Sequence, residues 1–109
     1  MKLLIITAIR EYKKDILKMF KAAGVKNFSY REVTGFQDNS GDEVGLNWFA
    51  SEMNENESIL FYAFVNMEIV ESFFNLADVY NAKQGNESRI HIAVLNIEKS
   101  TFFIKVLLT

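Results

Sequence analysis

Two apolar runs of strand length constrain this chain more than any other feature. Residues 3–9 and 59–65 carry apolar side chains at both odd and even positions, and polar or charged residues bound each run. Successive side chains of a strand point to opposite faces of a sheet. An apolar run of this kind therefore predicts a strand that is covered on both faces.

Two further segments have the period of amphipathic helices. Residues 12–23 gather apolar side chains on one side and lysines elsewhere, and Gly24 follows as a helix-ending residue. Residues 68–83 place aromatic and aliphatic side chains on one stripe and end before Gly85. We therefore predict two helices, each burying one face.

Three more segments complete the order of elements. Residues 25–36 and 89–97 are typical of strands, and residues 101–108 indicate a short final strand. The order β-α-β, loop, β-α-β is that of the ferredoxin-like fold. We expect one α+β domain over residues 1–109, with both helices on one face of a four-stranded antiparallel sheet.

The second face of this sheet has no helix to cover it. Its apolar side chains would form a patch larger than the few hundred Å² that monomers usually expose. The sequence therefore predicts a homo-oligomer that shares this face. The alternative is that residues 101–108 fold back over it.

The segment 37–58 differs in composition from the rest of the chain. It has six acidic residues and no basic one, whereas residues 1–36 have eight basic and three acidic residues. Its length and acidity favour a loop that binds a partner. The residues we assign to partner binding are Asp38, Leu46, Trp48 and Phe49. Two alternatives stay open: the aromatic pair packs under the domain, or the acidic side chains bind a hard cation.

The composition also excludes several classes of function. The chain has no cysteine and one histidine, and it has neither a nucleophile elbow nor a phosphate-binding loop. We therefore expect no enzyme and no resident metal. A net charge of -2 argues against nucleic acid. The first apolar run is too short for a membrane span or a signal peptide, so we expect no membrane insertion and a cytoplasmic protein.

One segment resembles a known family. Residues 24–36, Gly-Val-Lys-Asn-Phe-Ser-Tyr-Arg-Glu-Val-Thr-Gly-Phe, resemble the second strand of the PII nitrogen-regulatory signalling proteins, and the run Glu-Val-x-Gly-Phe is its most distinctive part. Residues 88–92 are similar to the opening of that family's fourth strand. Gly41 falls where the family's long T-loop has a glycine.

The resemblance implies a signalling protein that is a homotrimer. In that family nucleotides bind in clefts between subunits, and the T-loop contacts a partner protein or a membrane transporter. An adenine nucleotide or another anionic effector is then the implied ligand. The residues that match the family's ligand positions are Ser29, Gly35, Phe36, Gly85 and Arg89. Arg89 has the charge that a phosphate requires.

Departures from the family pattern favour an effector different from the family's usual one. Residues 37–41 read Gln-Asp-Asn-Ser-Gly, where the family has basic residues, and the loop has no tyrosine. The competing interpretations are a CutA-like cation-binding trimer and an oligomeric adaptor without a ligand. Arg89 could also pair with Glu87 or with a neighbouring subunit. His91 is more typical of a core or interface residue than of a metal ligand.

Overall fold

A computed structural model describes residues 1–36, 55–84 and 88–101. The elements, in chain order, are β1 (Lys2–Ile9), a 3-10 turn (Arg10–Tyr12), α1 (Lys13–Ala23), β2 (Ser29–Phe36), β3 (Glu55–Val65), α2 (Met67–Gln84) and β4 (His91–Asn96). The strands form one antiparallel sheet in the order β2-β3-β1-β4. This arrangement confirms the predicted ferredoxin-like α+β fold.

The core lies between the sheet and the two helices. Alternate residues of the central strands, Leu4 and Ile6 on β1 and Phe61 on β3, are fully buried on the helix side. The ring of Phe20 from α1 lies 5.4 Å from that of Phe61 and 5.1 Å from that of Phe73 on α2. Three packed phenylalanines therefore join both helices to the centre of the sheet.

Local residue chemistry sets the helix boundaries. Gly24 adopts the left-handed conformation, with φ of 90°, and its N–H donates to the last carbonyls of α1. The next N–H, that of Val25, donates to the Phe20 carbonyl at 2.9 Å, so this end has the hydrogen bonds of a Schellman cap. The side chain of Asn66 accepts from the Ile69 N–H at 2.9 Å and so caps the start of α2.

The other face of the sheet, which we call the open face, has no helix against it among the described residues. It carries apolar side chains from β1, β3 and β4. Tyr62, Phe64 and Leu95 are the most exposed of these, at 40, 51 and 45%. The predicted second apolar face is therefore present. The proposed covering segment, residues 101–108, lies outside the described residues except for Thr101, which is not in a strand.

Three predicted strand starts were wrong, of which the smallest error is that of β4, which begins at His91 and not at residue 89. β3 begins at Glu55, four residues before the predicted start, so the end of the predicted loop 37–58 is a strand. Residues 55–58 are polar, and their strand conformation comes from pairing with the end of β2, where Phe36 lies opposite Glu55. β2 begins at Ser29, not at residue 25, because Val25 still belongs to the cap of α1.

The conformation of Gly24 leads to a stability prediction. An added Cβ at Gly24 would meet no atom within 4 Å, so Gly24→Ala tests the backbone conformation alone. We expect the free energy of unfolding to fall by about 1 kcal/mol, the cost of placing an alanine in the left-handed region. Urea unfolding at matched protein concentration measures it. Lys18→Ala, an exposed change within α1, should stay within about 0.5 kcal/mol of the parent chain; an equal loss in both variants would contradict this account.

Candidate functional site

The Gly35-Phe36 pair and Arg89 lie at the same end of the sheet but at opposite edges of it. Gly35 is buried and Phe36 is 63% exposed at the end of β2, which is one edge strand. Arg89 is exposed two residues before β4, the other edge strand. Three strand spacings separate these edges, roughly 14 Å in total. One chain therefore does not bring these candidate residues together.

The backbone on both sides of Arg89 is held in place. The Tyr12 hydroxyl lies 3.2 Å from the Ser88 carbonyl oxygen, to which it donates. On the other side, the Asn81 amide accepts from the Ile90 N–H at 2.8 Å and donates to the Ile90 carbonyl at 3.1 Å. Arg89 thus combines an anchored backbone with an exposed guanidinium, as a residue that binds a ligand requires.

Tyr12 is itself fixed by its neighbours. Its ring lies edge-on against that of Tyr80, with 5.2 Å between the ring centres. The Tyr80 hydroxyl donates to Asp15 at 2.7 Å. Burial, and then the bond to Asp15, raise the pKa of Tyr80 well above its ordinary value of 10, so Tyr80 remains a neutral donor. This network joins α1 and α2 to the start of β4.

His91 lies two residues after Arg89 in the chain and in register with Thr7 of β1. It is half-buried on the open face, and this burial, followed by the charge of Arg89, lowers the pKa of His91 below 6.5. Within residues 1–36, 55–84 and 88–101 there is no cluster of three side chains able to hold a metal ion. His91 therefore lies on the open face and not in the core between the sheet and the helices.

Ser29 lies at the opposite end of β2 from Gly35. Six residues of extended strand separate them, about 20 Å. Ser29 lines a groove of about 310 Å³ together with Lys26 and the exposed rings of Tyr62 and Phe64. The groove offers aromatic surface beside one cation and one hydroxyl. Sequence reasoning missed Lys26 because only the strand register brings it near the aromatic residues of β3.

A second depression surrounds Arg10, which sequence reasoning also missed. Arg10 Nη1 lies 3.0 Å from Glu32 Oε1, and Nη2 pairs with Glu57 Oε2. Thr34 and Ser58 also line this space of about 220 Å³. The two carboxylates come from β2 and β3, the strands on either side of residues 37–54. The remaining candidates, Asp38, Leu46, Trp48, Phe49 and Gly85, lie outside the described residues.

Comparisons with known proteins bear on the fold. No family model and no curated protein matches the chain. Solved structures do match, among them a DUF3240 family protein from Shewanella baltica, with a TM-score of 0.61, 18% identity and 91% of each chain covered. Another is a protein from Thermus thermophilus described as a PII-like signalling protein, with a TM-score of 0.59 and 17% identity. The match covers 88% of this chain and 84% of that chain.

The chain has the fold of a PII-like signalling protein. The resemblance inferred from residues 24–36 and 88–92 therefore agrees with the architecture. None of the described helices has both the length and the apolar character needed to cross a membrane.

The neighbourhood of His91 and Arg89 predicts a linked titration. His91 is the single histidine of the chain, so its NMR signal can be followed without overlap. Arg89→Ala should raise the pKa of His91 towards 6.5 without reaching it, because the larger cause of the shift, burial, remains. In the parent chain, the free energy of unfolding should fall as the pH drops below 6.5, where the unfolded chain takes up the proton first. An unchanged pKa in Arg89→Ala would contradict the proximity of the two charges.

Proposed function

We propose that the protein is a trimeric PII-like regulator that binds an anionic effector in clefts between subunits and controls a partner protein through residues 37–54. The observation that carries this proposal is the position of Arg89. Its backbone is anchored and its side chain is exposed, yet the Gly35-Phe36 pair lies at the opposite edge of the sheet. A second copy of the chain could complete such a site by bringing its own edge strand alongside.

The open face supports the oligomer. Tyr62 and Phe64 on β3 and Leu95 on β4 are exposed beside partly buried apolar residues of β1. Covering such a face with other subunits removes apolar area from water, which stabilises the assembly by about 25 cal/mol for each Å². Three copies that meet through this face are the arrangement implied by the PII resemblance.

The chemistry of the candidate residues supports an anion as effector. The guanidinium of Arg89 can form paired, charge-assisted hydrogen bonds to a phosphate or carboxylate. A nucleotide also has a flat base, for which the exposed ring of Phe36 offers a stacking surface. Adenine nucleotides are therefore the first effectors to test, and cyclic dinucleotides and bicarbonate follow.

The acidic segment 37–54 is the part that we propose binds the regulated protein. Its negative charge would attract a basic surface on the regulated protein. The basic cytoplasmic side of a membrane transporter is one such surface. Leu46, Trp48 and Phe49 are the proposed anchors, with Asp38 at the start of the segment. On this proposal the protein acts in the cytoplasm by binding and performs no catalysis.

The predicted trimer can be tested by comparing a substitution on the open face with one at an exposed apolar residue elsewhere. Light scattering at micromolar concentration should give about three times 12.6 kDa for the parent chain. Phe64→Lys should shift the mass towards a monomer, because it places a charge in the shared apolar face. Val79→Lys is the matched control, since Val79 is 57% exposed but lies on α2. A stable monomer in the parent chain would overturn the trimer.

The effector prediction concerns Arg89. A thermal-shift screen with adenine nucleotides, cyclic dinucleotides, bicarbonate and divalent cations identifies ligands of the folded state. Calorimetry with the anion that gives the largest shift should then show a loss of affinity of about tenfold to a hundredfold in Arg89→Ala, with the trimer intact. Lys14→Ala, which removes an exposed cation from α1, should keep the parent affinity. Stabilisation by divalent cations alone would favour the CutA-like interpretation, and no shift at all would favour the adaptor.

A further inference from the structure

The 3-10 turn of Arg10–Tyr12 contacts two distant parts of the chain through neighbouring residues. Arg10 pairs with carboxylates of β2 and β3 at the base of residues 37–54. Tyr12, two residues later, donates to the segment that precedes β4. The turn therefore joins the strands that flank the proposed output segment to the backbone that presents Arg89.

The Arg10 side of this connection depends on strand register. Thr34 lies opposite Glu57, and Glu32 lies opposite Ile59, so the two carboxylates are diagonal neighbours on the same face of the sheet. Without a cation between them, like charges at this spacing repel. Arg10 uses separate nitrogens for the two carboxylates. It therefore favours the close pairing of β2 and β3 where residues 37–54 leave and re-enter the sheet.

The Tyr12 side of the connection is rigid. The Tyr12 side chain is buried, its ring packs against Tyr80, and its hydroxyl lies 3.2 Å from both Gln84 Oε1 and the Ser88 carbonyl oxygen. A displacement of Ser88 would change this hydrogen bond. Because the ring has little space to rotate, the change would be felt by the backbone of the turn.

We propose that the turn Arg10–Tyr12 couples the conformation around Arg89 to the base of the β2–β3 hairpin. The coupling deepens the proposed function, on which it rests for the roles of Arg89 and of residues 37–54. An anion that draws Arg89 towards itself moves Ser88 and so changes the hydrogen bond from Tyr12. The displaced turn then changes the ion pairs of Arg10 with Glu32 and Glu57. Two sites are coupled when both change the arrangement of one element that they share.

Amide hydrogen exchange tests this coupling in the full chain without any ligand. Tyr12→Phe removes only the hydroxyl, and exchange should rise at residues 33–36 and 55–58, far from the substitution. Arg10→Gln should raise exchange at residues 88–91 in the reciprocal direction. We expect increases of about three- to tenfold, the scale of one lost hydrogen bond. Amides at the centre of the β1–β3 pair serve as the reference for global unfolding.

Tyr80→Phe is the matched control for Tyr12→Phe. It removes a neighbouring hydroxyl that donates to Asp15 but keeps the ring that packs against Tyr12, so exchange at residues 33–36 should match the parent chain. The proposal is overturned if Tyr12→Phe changes only residues 88–91 and Arg10→Gln changes only the hairpin. It is also overturned if Tyr80→Phe perturbs the hairpin as much as Tyr12→Phe does.

A second measurement separates this proposal from the proposed function. ATP is added to the parent chain and to Tyr12→Phe, and both its affinity and the exchange at residues 33–36 are measured. Coupling predicts that ATP changes exchange there in the parent chain and several-fold less in the variant, while Arg89→Ala loses the binding itself. If ATP binds no form of the chain, this test counts against ATP as the effector, and the exchange data without ligand still decide the coupling.

Discussion

The antiparallel pairing of β1 with β3 is the constraint on which the rest of the structure depends. It runs without a break from Lys2 opposite Val65 to Ile9 opposite Ser58. A shift of one residue would exchange the two faces of either strand. The observed register sends Phe61 towards Phe20 and the helices, and leaves Tyr62 on the open face. The packing of the core and the exposure of Tyr62 on the open face thus follow from the same set of hydrogen bonds.

Most of the fold could be predicted from the sequence because its signals are local. Apolar runs, helical periodicity and Gly24 are each readable within a few residues, and together they indicate the element order. The prediction was wrong where the signal is not local. Residues 55–58 are polar and form a strand only because β2 lies beside them. Long-range pairing decided their conformation, and no periodicity in the segment could have revealed it.

The candidate site was less predictable for the same physical reason. Family resemblance picked out Gly35 and Arg89, but the order β2-β3-β1-β4 sends their strands to opposite edges. Arg10 gave no signal in the sequence, since its carboxylate partners, Glu32 of β2 and Glu57 of β3, lie far from it along the chain. Such clusters arise from register and strand order. The register and the order of the strands depend on the whole fold, so a short sequence motif does not indicate which side chains they bring together.

The separation of Gly35 and Arg89 has a thermodynamic consequence under the proposed function. If each anion is held by one edge of one subunit and the opposite edge of the next, ligand binding and subunit association share a free energy. An effector then stabilises the trimer by mass action, and dilution of the subunits weakens the effector. A site completed within one chain would show no such dependence. Under the proposed function, the positions of Gly35 and Arg89 at opposite edges of the sheet therefore make subunit assembly part of effector binding.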